Sequence, residues 1–83
     1  MNPAAAETGR LRWRCRRGMK ELDLLLVRWL DRCYPAAGPA ARAAFARLLE
    51  AQDPQLVAWL LKGEPAPDDE LQELVDELLA LPV

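Results

Sequence analysis

The stretch Arg16-Arg17-Gly18-Met19-Lys20-Glu21-Leu22-Asp23 sets two guanidinium groups, a glycine and two carboxylates between two segments of helical apolar spacing. A hydrophobic core has no use for such a cluster, because a buried charge is costly unless it is paired. Its chemistry is that of recognition. Arg17 carries a planar fork that can pair two ways with a carboxylate or a phosphate. Gly18 lets the backbone come close to a partner surface. Glu21 stands four positions after Arg17, where it can orient that arginine or bind a partner's base. Met19 and Asp23 adjoin them. Spacing alone leaves a second reading open, an ordinary helix–helix corner with capping charges.

Chemistry of other kinds lacks its materials. The chain has no histidine, the commonest general acid–base side chain. It has no serine either, and a cysteine nucleophile would lack its imidazole. The glycines number four and lie far apart, so no phosphate-cradling loop is expected. Cys15 and Cys33 have no zinc-binding spacing; both fall on apolar helix sides and are expected to be buried free thiols in a reducing compartment. Asp68-Asp69 could ligate a cation in principle, but acids at a helix start explain them better. No catalytic and no metal-binding residue is therefore expected, and the protein is not expected to be an enzyme.

The elements that must hold the cluster are helices. Leucine and alanine dominate, isoleucine is absent, and β-branched residues are few, a composition with little material for strands. Five helical segments can be read. The first runs from about Gly9 to Arg17, with Leu11 and Cys15 one turn apart, Trp13 free to cover a neighbour, and Gly18 suited to a left-handed helix end. The second runs from about Met19 to Cys33. Leu22, Leu25, Leu26, Trp29, Leu30 and Cys33 recur at helical spacing along it, and Tyr34-Pro35 ends it. Gly38-Pro39 opens the third, whose stripe is Phe45, Leu48 and Leu49. Asp53-Pro54 reads as a cap and first turn of the fourth, which carries Leu56, Val57, Leu60 and Leu61 and stops at Gly63. The fifth begins at Pro67 or Asp68 and carries Leu71, Leu74, Val75, Leu78 and Leu79. Short connections make sequential helices neighbours. The expected fold is all-α, a small five-helix bundle forming one domain over residues 10–83, with a loose tail over residues 1–9.

Eighty-three residues suffice for one small domain and for no deep cofactor pocket. The net charge of −2 is unevenly spread: residues 1–20 hold six arginines or lysines against Glu7 alone, and residues 64–83 hold seven acids and no base. Such polarity marks either a charged arm for a partner or two solvated helices of opposite sign. No stretch is long and apolar enough to span a membrane, and no signal peptide is expected. A cytoplasmic monomer is expected.

The cluster belongs to a longer pattern. Trp13-x-Cys15-Arg16-Arg17-Gly18-Met19-x-Glu21-Leu22-Asp23 is followed by Tyr34, by Phe45-x-x-Leu48-Leu49-Glu50 and by Asp53-x-x-Leu56-x-x-Trp59-Leu60. In this order and spacing the chain resembles the succinate dehydrogenase flavinylation assembly factors, with their Arg-Gly-x-x-Glu signature at Arg17, Gly18 and Glu21. It departs from them after Tyr34, where it reads Pro35-Ala36-Ala37-Gly38-Pro39-Ala40-Ala41. The resemblance implies a five-helix chaperone-like protein. It implies binding to the flavoprotein subunit of succinate dehydrogenase, and to that of fumarate reductase, and promotion of covalent FAD attachment to a client histidine. On that reading Arg17, Gly18, Met19, Glu21 and Asp23 form the partner-binding surface, and no cofactor is stably bound by this chain. The rival readings are a general protein-interaction or antitoxin-like module, and a nucleic-acid-binding module using Arg10, Arg12, Arg14, Arg16 and Arg17. The overall acidity opposes the latter.

Overall fold

A computed structural model of the chain describes the backbone of residues 3–82 and the side chains of residues 8–82. Five α-helices occur, with no strand among the described residues: α1 (Pro3–Arg14), α2 (Lys20–Arg32), α3 (Pro39–Glu50), α4 (Asp53–Leu60) and α5 (Asp69–Ala80). The order and number are those expected from the apolar spacing. The tail expected over residues 1–9 lies in part outside the described residues. Where it is described, α1 opens at Pro3, before the expected start at Gly9. A proline is tolerated at a helix start, and the alanines that follow are the strongest helix formers.

The first helix also ends early, at Arg14 rather than Arg17. Residues 15–19 form a connecting loop, and Gly18 within it has φ +81. The left-handed glycine is as expected, but it turns the loop rather than closing the helix. After α2, Tyr34–Ala36 make one 3-10 turn. Arg42 clamps this turn from α3. Its Nε donates to the Tyr34 carbonyl at 3.2 Å and its Nη2 to the Pro35 carbonyl at 3.1 Å, with the guanidinium 4.7 Å above the Tyr34 ring. The cap of α4 is Gln52 rather than Asp53. Gln52 and Gln55 satisfy each other's backbone N–H in a reciprocal capping box, and Pro54 sits in the first turn. Gly63, at φ +72, follows α4 as the stop signal requires. Asp68 caps α5 by accepting from the Leu71 N–H at 2.9 Å.

The core is one cluster. Trp29, 1% exposed, stacks on Phe45 at 4.6 Å between ring centroids and meets Tyr34 edge-on at 6.1 Å, both favourable geometries. Leu22, Leu26, Leu48, Leu56 and Leu78 are fully sealed around them. α3 packs on α5, and α2 packs on both α1 and α5. Among the described residues no ion pair joins the basic N-terminal segment to the acidic C-terminal one. Arg12 of α1 bonds Asp31 of α2, and Arg47 of α3 bonds Asp68 and Glu70 at the start of α5. Each charged end is tied to a middle helix instead.

Candidate functional site

The α1–α2 corner is assembled by two inward-turned side chains. Arg17 lies in the loop, its side chain only 16% exposed. Its guanidinium reaches across to the junction of α3 and α4. Nη1 donates to the Ala51 carbonyl at 3.2 Å, Nη2 donates to the Leu49 carbonyl, and Asp53 stands 3.5 Å from Nη1. Two carbonyls at the C-terminal end of α3 thus receive cationic donors, where the helix dipole favours positive charge. The third guanidinium nitrogen, Nε, is buried with no hydrogen-bond partner among the described residues. Asp23, on the first turns of α2, accepts from the Arg17 backbone N–H at 2.8 Å, and its own N–H donates to the Met19 carbonyl at 2.9 Å. The loop is held at both sides, by α2 through Asp23 and by the α3–α4 junction through Arg17.

What these anchors present is Gly18, Met19 and Glu21. Gly18 is exposed, and a Cβ built on it would meet nothing within 4 Å. The space beside it faces outward. Met19 is 37% exposed, a flexible apolar side chain at the start of α2. Glu21 is exposed and forms no hydrogen bond or ion pair with any described residue. The patch is one backbone approach point, one soft apolar contact and one free carboxylate. Groups of this kind are suited to contact with another polypeptide.

The five candidate residues therefore lie in one corner but divide into two kinds. Arg17 and Asp23 are tied into the fold; Gly18, Met19 and Glu21 face outward. Of the two roles open to Glu21, orienting Arg17 is not taken: Arg17 pairs with Leu49, Ala51 and Asp53 instead. An Arg17–Glu21 pairing at helical spacing needs one continuous helix, and α2 begins only at Lys20. Helical spacing could not reveal the true partners of Arg17, since the Leu49 and Ala51 carbonyls and Asp53 are more than thirty positions away in sequence.

The two thiols are free, Cys15 buried and Cys33 partly so. Burial pushes the Cys15 thiol up to about 11, far from the range of a reactive cysteine. A second hollow, of about 370 Å³, lies between α3 and α5, with Ala40, Ala41 and Ala44 facing Glu70, Glu73 and Glu77. Among the described residues no group of three or more His, Cys, Asp or Glu could hold a metal ion, and no helix is long and apolar enough to cross a membrane.

Known proteins resemble the chain over most of its length. Residues 9–82 match the family model described as flavinator of succinate dehydrogenase. A protein of Xylella fastidiosa, called FAD assembly factor SdhE, is 43% identical over 77 residues, covering 93% of this chain and 79% of that protein. Proteins of the same name from Shewanella oneidensis and Idiomarina loihiensis are 46% identical over 66 residues and 39% identical over 77 residues. They are covered over 80% and 86% of their lengths. No solved structure matches the chain.

Proposed function

The chain belongs to the flavinators of succinate dehydrogenase, and from that premise we propose that it docks on the flavoprotein subunit through the Gly18–Met19–Glu21 corner. Its role is that of an assembly factor in flavinylation. The client is the flavoprotein subunit of succinate dehydrogenase, with that of fumarate reductase a second client, and the work is done in the cytoplasm by a monomer. The observation that carries the reading is the outward, left-handed Gly18, on a loop pinned by Arg17 and Asp23, beside Glu21 in the first turn of α2, which has no partner among the described residues.

Covalent attachment forms a bond between a histidine nitrogen and the 8α carbon of the flavin. That carbon gives up a proton and the histidine gives up its N–H proton, while the electron pair of the broken C–H bond passes into the ring, which is left reduced by two electrons and can take up both protons. The client supplies the histidine and holds the FAD. This chain has no histidine, so it can provide neither the attachment residue nor an imidazole base. It acts by selection among client conformations. Docking at the corner favours the arrangement in which client histidine and flavin are aligned. A corner already rigid in the free protein suits that task, because little ordering is left to oppose binding.

Co-expression with the flavoprotein subunit of succinate dehydrogenase tests this, read by in-gel flavin fluorescence after denaturation. The wild-type chain raises covalent flavin. Glu21→Ala lowers it about tenfold or more while thermal stability changes by less than about 1 kcal/mol, the worth of one exposed acid in a first helical turn. Covalent flavin at the wild-type level with Glu21→Ala and Gly18→Arg would show that the client is gripped elsewhere.

A further inference from the structure

The sequence places five arginines between positions 10 and 17, and the fold uses only two of them internally. Arg12 turns to Asp31 and Arg17 to the α3–α4 junction. Arg10, Arg14 and Arg16 are exposed and form no ion pair among the described residues. Between them stands Trp13, 71% exposed, with the Arg16 guanidinium 5.7 Å from its ring centroid. Leu11 and Cys15 point the other way, into the core. Trp13 and Arg14 form a ridge shared by two open hollows. One, of about 520 Å³, is lined by Gly9, Arg10, Trp13 and Arg14. The other, of about 350 Å³, adds Arg16, Arg17 and Leu49.

A lone exposed apolar side chain needs no explanation. An exposed indole among three unpaired guanidinium groups does, because tryptophan and arginine are enriched where binding energy concentrates. We propose that this outward face of α1 is a second docking surface, built for an acidic polypeptide segment of the flavoprotein client that sets carboxylates against Arg10, Arg14 and Arg16 and an apolar side chain against Trp13. The inference rests on the function proposed above and extends its contact surface, since the hollow beside Trp13 runs to Arg17 at the corner.

Charge complementarity selects the occupant. Three free guanidiniums call for an anionic partner, and each matches a carboxylate two ways. A nucleic acid fits poorly. Three phosphate contacts give weak binding at physiological salt, and the chain as a whole carries −2. An anionic membrane fits poorly as well, because among the described side chains of α1 Leu11 is buried and Trp13 is the one large apolar group left to enter lipid. An acidic protein surface uses all four side chains at once. It also orients the encounter, since a local positive face on an acidic chain is steered toward negative client surface.

The test is direct binding of the purified chain to the purified flavoprotein subunit, measured over a range of sodium chloride. Trp13→Ala and the pair Arg10→Glu/Arg14→Glu alter exposed side chains only, and circular dichroism confirms that each stays folded. The expected result is a Kd about tenfold weaker for Trp13→Ala, and a weaker, less salt-dependent Kd for the charge reversals. Wild-type affinity in both variants overturns this inference and leaves the corner intact. Failure of the wild-type chain to bind the subunit overturns the proposed function and this surface together. Loss of binding to phosphatidylserine vesicles or to a DNA duplex, with subunit binding unchanged, also overturns it.

Discussion

Arg17→Ala separates a residue that shapes the corner from one that touches a partner. In the native chain its guanidinium serves the Leu49 and Ala51 carbonyls and stands 3.5 Å from Asp53. A hydrogen bond from a charged donor contributes about 1.5–3 kcal/mol, so the two together reach about 3–6 kcal/mol. The Asp53 contact adds little, since that carboxylate is 42% exposed and well screened. The unpartnered, buried Nε works against the total by about 1–3 kcal/mol. The net loss on truncation is about 0–5 kcal/mol, with a midpoint of about 2.5 kcal/mol. A domain of 83 residues is stable by roughly 4–12 kcal/mol, so the midpoint is a large share. At that midpoint thermal melting by circular dichroism should fall by about 10–20 °C, and covalent flavin in the client should fall with it. Arg17→Lys keeps the charge but not the fork and should lie between the two. Glu21→Ala should lose flavinylation with the melt nearly unmoved. If Arg17→Ala melts within about 2 °C of wild type while flavinylation collapses, the guanidinium is a client contact and the latch is wrong.

Three further outcomes follow from the geometry. Gly18→Arg adds a side chain where nothing lies within 4 Å but forces a left-handed backbone, at about 1–2 kcal/mol; covalent flavin should vanish while the fold survives, and Gly18→Asn, which tolerates that conformation, should melt closer to wild type. A thiol-specific disulfide reagent at mildly alkaline pH should modify Cys33 quickly and Cys15 only as the chain opens, because burial raises the Cys15 thiol from 9.0 to about 11. A raised folded value means that its share of stability is whole below 9.0 and disappears as pH rises through about 11, so Cys15→Ala should flatten the alkaline arm of a stability–pH curve. Asp68 is held below its ordinary 3.8 by the Leu71 N–H and by Arg47. Its contribution is present above 3.8 and is lost as pH falls through the lowered value. Helix content should hold down to about pH 4 and then decline, and Asp68→Ala should be less stable at neutral pH with a shallower acid decline.

Most of the fold was legible because apolar spacing carries it. Leu22, Leu26, Trp29 and Leu30 were expected on one face of α2, and all are buried. Leu71, Leu74, Val75 and Leu78 on α5 are buried as expected, but Leu79 at the edge of that stripe is exposed, as is Leu61 at the end of α4. Glycine chemistry was legible too, since both Gly18 and Gly63 take positive φ. What escaped was set by distant parts of the chain. Arg17 reads as a surface fork until the α3–α4 junction arrives to receive it. Trp13 reads as cover for a neighbour, yet it stands 71% exposed because Leu11 and Cys15 already fill the inward side of α1. The start of α1 at Pro3 lies six residues before the expected Gly9, because the alanines after Pro3 favour a helix where a loose chain end was expected.

On the proposed function the corner divides its labour between residues that fix the loop and residues that face the client. A client must be held in one arrangement, so the surface that holds it must not yield. Arg17 and Asp23 fix the loop from within, and both do so through backbone atoms, which side chains of other shapes would not satisfy in the same geometry. Gly18 is required twice over: for its left-handed backbone and for the empty space that it leaves outside. Only Met19 and Glu21 are then free to answer the partner's chemistry. Substitutions in the first group should lower stability and function together, and those in the second should lower function alone. Gly18 belongs to both, which is why its replacements must be read against a residue that shares the backbone preference but not the bulk.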